Sequence, residues 1–358
     1  MGMSPDTLLS ILIPSITTFV IGIAITPTIT DFLYKNKLWK KKNVIKTLDG
    51  KEATLTAKIH NDEKAPVPRL GGLVIWISVL ISAAIFYIVS HAGDNNGDLV
   101  SRLDLISRNQ TWLPLAALLC GGILGAIDDL MVVNYWGKEG SYIGGGLSLR
   151  IRLGVVALLG AFVAYWFVVK LGFDSVTIPL YGELIIGPVL YSALVIITML
   201  AIFSGGIIDG VDGLSGGVMT AIFSSYGIIA MIQGQYDIAK LCFVLVSATL
   251  AFLWFNVPPA RFYNSETGMM ALSLCLAVIV FLVDGVAVLP IIGFLLVITV
   301  ASTLIQLFSK RFLGRKVFLV APIHHHFEAK GWPNYKVTMR YWIIAFMCSM
   351  AGIILTLL

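Results

Sequence analysis

Three adjacent histidines, His324, His325 and His326, lie between two long apolar stretches of the chain. Imidazoles beside an apolar stretch suit a core poorly, but they hydrogen-bond well to anionic oxygens. Four other segments carry the side chains best suited to chemistry, namely Asp128 with Asp129, Asp209 with Asp212, Asn256 with Glu266, and Lys64 with Arg69. If these segments meet at one membrane face, their carboxylates and cations predict metal-dependent chemistry on a phosphorylated substrate.

The adjacent acids Asp128 and Asp129 fall at the end of an apolar stretch over 112–130. A helix C-terminus carries partial negative charge, so two carboxylates there are unfavourable unless a cation compensates them. A bound metal or a nearby Lys or Arg would do so. The alternative is an ordinary solvated helix end, since charged residues often flank membrane helices.

A glycine-rich acidic segment, Asp209-Gly210-Val211-Asp212-Gly213, follows the fifth apolar stretch. Its glycines let backbone N–H groups approach a ligand closely. Two aspartates three positions apart can face the same side of a turn. The alternative is a flexible loop in which Asp212 caps the next helix.

The segment from Asn256 to Gly268 combines an amide, aromatic rings and a carboxylate. Asn256 suits the edge of a base, Phe262 or Tyr263 offers a stacking face, and Glu266 is a hard oxygen ligand. In the alternative interpretation, the aromatics form an interfacial belt and Ser265 caps a helix. Carboxylates without cysteines favour Mg²⁺ over zinc, and three consecutive histidines cannot all face one ion without strain.

Apolar composition determines the elements that position these residues. Hydrophobic residues make up 58% of the chain and charged residues 13%, with a mean hydropathy of +0.89; soluble domains carry about 25% charged residues. Backbone groups in lipid must be satisfied internally, so long apolar runs predict helices. We predict an all-α integral membrane protein, one polytopic domain over 1–358, with about ten transmembrane helices, at 8–33, 70–90, 112–130, 152–172, 187–204, 215–233, 238–256, 268–284, 287–309 and 340–357.

The distribution of basic residues predicts the orientation of these spans. Of the 25 Lys and Arg residues, all but Arg102, Arg108, Lys170 and Lys240 fall in alternate loops or at their edges. The positive-inside rule makes those loops cytoplasmic and places both termini outside. The cytoplasmic loops are about 34–69, 131–151, 205–214, 257–267 and 310–339. A net charge of +5 fits anionic headgroups and substrates and requires no nucleic acid.

The segment Ala321 to Pro333 resembles the histidine signature of the phospho-N-acetylmuramoyl-pentapeptide transferases, a family of polyprenyl-phosphate N-acetylhexosamine-1-phosphate transferases. The resemblance covers the whole chain, with motifs in the family order. It implies transfer of phospho-MurNAc-pentapeptide from UDP-MurNAc-pentapeptide to undecaprenyl phosphate, giving lipid I and UMP for peptidoglycan biosynthesis, cell shape and cell division. It also implies Mg²⁺, a membrane lipid partner, a homodimer, and a multi-pass protein of the bacterial inner (plasma) membrane with a cytoplasmic active site. No span shows a persuasive pair of small residues four apart for dimerisation.

The resemblance also implies a role for each candidate residue. Asp128 or Asp129 would deprotonate or orient the lipid phosphate, with Asp128 preferred, and His324 would act beside them. Glu266, with Asp212, would hold Mg²⁺. The implied substrate-binding residues are Lys64, Arg152, Asp209, Gly210, Asp212, Asn256, Tyr263, His325 and His326.

This chain departs from the family pattern at several positions. Glu266 replaces Asp, Arg152 and Val132 replace Lys, and Gly206 replaces Asn. Pro68-Arg69 resembles the GlcNAc-1-phosphate transferase branch, so that sugar specificity is one alternative. A transporter or lipid-binding protein without catalysis is another, although transporters place charges near the bilayer midplane. A lipid pyrophosphate phosphatase is the last, and it would not depend on Asn256.

Overall fold

The computed structural model describes residues 4–39, 66–92, 99–106, 111–133 and 146–358. Within these ranges ten helices are long and apolar enough to cross a membrane, which confirms the predicted all-helical membrane fold. The helices are α1 (Pro5–Lys35), α2 (Leu73–His91), α3 (Trp112–Val132), α4 (Leu149–Tyr165), α5 (Gly187–Gly205), α6 (Leu214–Ile232), α7 (Tyr236–Asn256), α8 (Ser265–Leu282), α9 (Phe294–Phe312) and α10 (Asn334–Leu357).

Short elements complete the described chain. One-turn 3₁₀ segments lie at Ser101–Leu103 and Gly206–Ile208, and a π-helical turn at Trp166–Lys170 extends α4. A short helix at Leu289–Ile292 separates α8 from α9, in the region where the sequence offers only Asp284 and Gly285 as a boundary. The helix Ile323–Ala329, called here the histidine helix, precedes α10.

A two-stranded hairpin follows α4, as the alternating sequence around Tyr181-Gly182 predicts. Strand β1 (Ser175–Ile178) pairs antiparallel with β2 (Gly182–Ile185). The backbone N–H of Thr177 donates to both carboxylate oxygens of Asp284, at 3.1 Å each. The turn after α8 therefore anchors the hairpin.

Helix α8 lies at the centre of the bundle and is buried along almost its whole length. It packs most extensively against α3, and α7 packs against both α1 and α6. The outer helices α1, α4, α9 and α10 are the least buried of the ten spans and expose many apolar side chains, as expected for surfaces that face lipid.

Two glycines on α3 explain its close approach to α8. A Cβ added at Gly121 would meet the carbonyl oxygen of Met270, and one at Gly125 would meet the carbonyl oxygen of Glu266. Gly121 and Gly125 form a small-xxx-small pair, which lets helix backbones approach closely. This pair acts within the chain and gives no information about dimerisation. Asp128 and Asp129 lie one turn further along α3, beside the start of α8.

Candidate active site

Asp129 is fully buried and is held by groups from two other elements. One carboxylate oxygen accepts from Nε of Arg69 at 2.8 Å. The other accepts from the backbone N–H of Thr267 at 2.9 Å and from its hydroxyl at 2.6 Å. Asp129 thus meets the full positive charge of Arg69 and the partially positive N-terminal end of α8.

Asp128 is also fully buried, so the alternative of a solvated helix end is wrong. Its Oδ1 accepts from the backbone N–H of Leu147 at 2.6 Å, and its Oδ2 lies 3.1 Å from Nη2 of Arg152. Nε of Arg152 donates to the carbonyl of Leu147 at 3.0 Å, which closes a ring of contacts. Oδ2 itself has no hydrogen bond of good geometry among the described residues.

Glu266 completes this cluster of charges. Its Oε1 accepts from Nη1 of Arg152 at 2.6 Å, and its side chain is 29% exposed. The guanidinium of Arg152 therefore bridges a carboxylate of α3 and a carboxylate of α8. We call Arg69, Asp128, Asp129, Arg152 and Glu266 the acid–arginine network.

Asp209 is attached to the start of α8 rather than to the network directly. Its Oδ1 accepts from the hydroxyl of Ser215 at 2.5 Å, and its Oδ2 accepts from the backbone N–H of Ser265 at 2.7 Å. Burial raises the pKa of the Asp209 carboxyl, although these two hydrogen bonds and Arg69 oppose the rise. Ser265 has a φ of 56°, a strained value for a non-glycine residue, so Asp209 helps to hold the turn that presents Glu266.

Asp212 and Asn256 connect loops within the protein. Oδ2 of Asp212 accepts from the backbone N–H of Ala260 at 3.1 Å. The amide of Asn256 is buried, accepting from the N–H of Gly213 at 3.0 Å and donating to the carbonyl of Phe262 at 2.8 Å. Gly213, with a φ of 72°, is the N-cap of α6, so the alternative that Asp212 caps this helix is wrong.

The two aromatics of this loop face different surroundings. Phe262 is fully buried and packs against the rings of Phe252 and Phe255, so it offers no stacking face. Tyr263 is half-buried, and its backbone N–H and carbonyl pair with Pro68 and Gly71 at 2.8 Å each. This pairing fixes the segment that carries Arg69.

The histidines of the histidine helix diverge. Nδ1 of His325 lies 2.5 Å from a carboxylate oxygen of Glu328, and Nδ1 of His326 accepts from the backbone N–H of Leu319 at 3.1 Å. His324 is fully buried, and neither of its ring nitrogens has a hydrogen-bond partner among the described residues. Burial lowers the pKa of His324 well below its usual value, and His325 adds to the effect.

Gly210 brings the histidine helix to the acidic loop. A Cβ added at Gly210 would lie 2.6 Å from Nε2 of His324 and 2.7 Å from Nε2 of His325. A glycine at this position lets the backbone lie against both rings without displacing them. The loop 209–213 therefore contacts α8 through Asp209 and the histidine helix through Gly210.

Two further residues bind Asp129, namely Arg69, which the sequence singled out with Lys64 but without a role, and Thr267, which it did not single out. Arg69 precedes Gly71 and Gly72, where an added Cβ would collide with Phe262 and with the backbone of Gly268. This close packing brings the guanidinium of Arg69 to Asp129. The Pro-x-x-Gly-Gly pattern was the available signal for it, whereas nothing local marks Thr267.

The described residues contain no group of three His, Cys, Asp or Glu side chains with metal-binding geometry. Glu266 and Asp128 nevertheless fit magnesium, which takes one or two carboxylates together with substrate oxygens and water. The unbonded oxygen of Asp128 supports that fit. Lys64 lies outside the described residues.

Ten membrane spans around a buried cluster of carboxylates and arginines define a polytopic membrane protein with a charged site at one end of its helices. Residues 111–284 match the family described as glycosyl transferase family 4. A phospho-N-acetylmuramoyl-pentapeptide-transferase of Lacticaseibacillus paracasei is 30% identical over 96% of this chain and 97% of its own length. The chain belongs to glycosyl transferase family 4.

Two further relatives carry the same name. The protein of Geobacillus sp. is 28% identical over 94% of this chain and 95% of its own length. The protein of Rhodopseudomonas palustris (strain BisA53) is 34% identical over 68% of this chain and 71% of its own length. The first two similarities cover nearly the whole chain, from α1 to α10.

Proposed function

We propose that this protein transfers phospho-MurNAc-pentapeptide from UDP-MurNAc-pentapeptide to undecaprenyl phosphate, forming lipid I and UMP. The observation that carries the proposal is the buried Asp128, with one oxygen short of a hydrogen bond beside the Arg152 guanidinium. Such a group suits a charged, phosphorylated reactant. The names of the relatives supply the substrate pair.

The orientation belongs to this proposal. With the basic loops in the cytoplasm, the network lies at the cytoplasmic end of α3 and α8, at the inner (plasma) membrane of a bacterium. The soluble nucleotide would then enter from the cytoplasm and the polyprenyl phosphate from the bilayer. The homodimer stays a prediction, since the structure contains one chain.

In the proposed reaction an oxygen of undecaprenyl phosphate attacks the β-phosphorus of the nucleotide sugar. The bond from that phosphorus to the bridging oxygen breaks, and the oxygen leaves with UMP. Oδ2 of Asp128 accepts the proton of the lipid phosphate, or Asp128 orients the phosphate dianion through the Arg152 guanidinium. Alignment and charge neutralisation supply most of the catalysis in such transfers.

The cations of the network would bind the phosphate groups of the two substrates. Arg69 is paired with Asp129, Arg152 lies between Asp128 and Glu266, and each guanidinium offers planar donors suited to phosphate oxygens. Magnesium, held by Glu266 with Asp128, would supply Lewis-acid polarisation of the pyrophosphate. The structure favours Asp128 over Asp212 as the second ligand, because Asp212 bonds to the 257–260 loop.

The remaining candidate residues are proposed to form the part of the site that binds the nucleotide. His324 has unpaired nitrogens, so it is our candidate for a direct contact with substrate oxygens. Tyr263 is the candidate for stacking on uracil, beside Asp209, Gly210 and Asp212. The side-chain amide of Asn256 is already bonded to the backbone of Gly213 and Phe262, so we propose that Asn256 positions the loops of the nucleotide site. His325, His326 and Lys64 stay proposed contacts for anionic oxygens.

The test is a magnesium-dependent turnover assay in detergent with undecaprenyl phosphate and either UDP-MurNAc-pentapeptide or UDP-GlcNAc. UMP release with the muramyl substrate alone is the expected result. Release with UDP-GlcNAc alone would move the protein to the branch that Pro68-Arg69 resembles. Release with neither, from folded protein, would contradict a transferase function.

The role of Asp128 has its own test. Asp128→Asn should lower turnover about 10²–10³-fold, the usual loss for a group acting on developing charge or a proton. The matched control is Asp284→Asn, which removes an aspartate at the hairpin anchor on the opposite side. Unchanged turnover in Asp128→Asn would remove the proposed base or orienting role.

A further inference from the structure

The chain folds back along α9 where this helix ends. Oε1 of Gln306 accepts from the backbone N–H groups of Val317 and Phe318 at 3.0 Å each, and its Nε2 donates to the carbonyl of Phe318 at 2.8 Å. The hydroxyl of Ser309 donates to the carbonyl of Arg315 at 2.8 Å. Gln306 and Ser309 are both buried, so satisfied polar groups fix the return. We call the segment 308–319 the basic strap.

The outer surface of the basic strap combines exposed apolar and basic side chains. Its exposed apolar residues are Phe308, Phe312, Leu313, Val317 and Leu319. Its basic residues are Lys310, Arg311, Arg315 and Lys316, and no Asp or Glu occurs between Gln306 and Glu328. The rings of Phe308 and Phe312 lie 4.5 Å apart, with the Arg311 guanidinium 5.8 Å from the Phe312 ring. Within the described ranges no carboxylate pairs with Arg311, Arg315 or Lys316.

The position of the basic strap indicates what it contacts. Its apolar face continues that of α9, where Leu304 and Ile305 are exposed on a predicted membrane span. Aromatic rings beside Lys and Arg are typical of the level of the lipid headgroups. Basic groups there are attracted to anionic lipid, and each contributes measurably to binding.

We propose that the basic strap is a binding surface for anionic phospholipid headgroups of the adjoining leaflet. The apolar side chains enter the acyl boundary, and Arg311, Arg315 and Lys316 contact the headgroup phosphates. This surface is separate from the acid–arginine network, and the proposal does not depend on which sugar the protein transfers.

The basic strap is joined to the histidine helix. The N–H of Leu319 donates to His326, the N–H of Ile323 donates to the hydroxyl of Ser302 at 3.0 Å, and the Phe318 ring meets the His326 ring edge-on at 5.7 Å. Headgroup binding would thus hold the histidine helix in place. This effect on the histidine helix rests on the proposed function, and it predicts that anionic lipid raises turnover mainly by lowering the KM for the lipid substrate.

The test measures retained lipid on the full chain, purified in detergent with equal phosphatidylglycerol and phosphatidylcholine, by native mass spectrometry. The variant Arg311→Gln/Arg315→Gln/Lys316→Gln should lose about fivefold in phosphatidylglycerol affinity for each charge removed. The charge-keeping variant Arg311→Lys/Arg315→Lys/Lys316→Arg should retain wild-type preference. The variant Arg102→Gln/Lys170→Gln, which removes basic residues from the opposite side, is the matched control.

The outcomes separate this proposal from the proposed function, because lipid retention needs no turnover. Loss of the phosphatidylglycerol preference in the neutral triple variant, with an unchanged melting temperature, supports the basic strap as a headgroup site. Equal preference for phosphatidylglycerol in the wild type and the neutral triple variant overturns the proposal and indicates that the surface binds a protein partner instead. Should the neutral variant fail to fold, wild type without any preference for phosphatidylglycerol would overturn the proposal equally.

Discussion

The acid–arginine network and the histidine helix lie on two sides of the loop 209–213, and they differ in how their buried polar groups are paired. In the network, Arg69 pairs with Asp129, and Arg152 pairs with Asp128 and Glu266. In the histidine helix, His324 is buried without a hydrogen-bond partner among the described residues. The network pairs each of its charges and leaves one Asp128 oxygen short of a hydrogen bond, whereas both ring nitrogens of His324 lack a polar partner among the described residues.

This difference predicts different consequences of substitution. Removing one member of a buried ion pair strands the other charge, so the network should be costly to disturb even without substrate. An unpaired buried imidazole stabilises nothing by hydrogen bonding, so His324 should matter for binding or chemistry alone. Substitutions in the network should therefore lower stability as well as activity, whereas substitution of His324 should lower activity alone.

The largest expected effect is in the network. Asp129→Ala leaves the Arg69 guanidinium without its partner, so it should lower the free energy of unfolding by about 3–5 kcal/mol. Denaturant unfolding in detergent, followed by circular dichroism, measures the change. Asp129→Asn, which still accepts from Thr267, should lose less. Wild-type stability in Asp129→Ala would show that the pair is not a structural element.

The next effect is in the histidine helix and concerns activity. His324→Leu keeps a similar volume and removes the two unpaired nitrogens, so unfolding free energy should stay level or rise by about 1 kcal/mol. Turnover should fall about 10²–10³-fold if these nitrogens contact developing charge. A large loss of stability with normal turnover in the remaining folded protein would reverse the contrast between the regions.

A pair of glycine substitutions sharpens the comparison. Gly125→Ala pushes a methyl into the backbone of Glu266 and Thr267, which cannot yield, so we expect about 1–3 kcal/mol of destabilisation. Gly210→Ala meets only the ring ends of His324 and His325, which can rotate, so its stability loss should be smaller. Gly154→Ala on α4 meets open space and serves as the control. Equal losses at 125 and 210 would contradict this ranking.

The smallest effect is a pH dependence that comes from His324. Its folded pKa is depressed by burial while the unfolded value is about 6.5, so the unfolded chain binds the extra proton below that pH. This group should lower stability as pH falls, by about 1.4 kcal/mol between pH 7.5 and 5.5. The difference between wild type and His324→Leu isolates it from Asp209, whose raised pKa acts in the opposite direction. An identical slope in both proteins would show that His324 is not held neutral.

The sequence predicted the membrane fold well because apolar length and backbone satisfaction leave helices as the natural solution. It also offered the candidate residues and proposed Asp212 with Glu266 for the metal, whereas in the structure Arg152 joins Glu266 to Asp128. That arrangement depends on the register of α3 against α8, which Gly121 and Gly125 set through a contact distant in sequence. The contribution of Arg69 was hidden for the same reason, since Gly71 and Gly72 bring it to α8.

The contact between α3 and α8 also bears on how the protein is made. Four membrane spans separate these helices in the chain, and Arg152, on α4, meets Asp128 early but Glu266 only once α8 is in place. Before α8 is inserted, Asp129 therefore lacks its hydrogen bond from the Thr267 amide, and Arg152 lacks its ion pair with Glu266. The charged cluster is therefore complete only once the eighth span is in place.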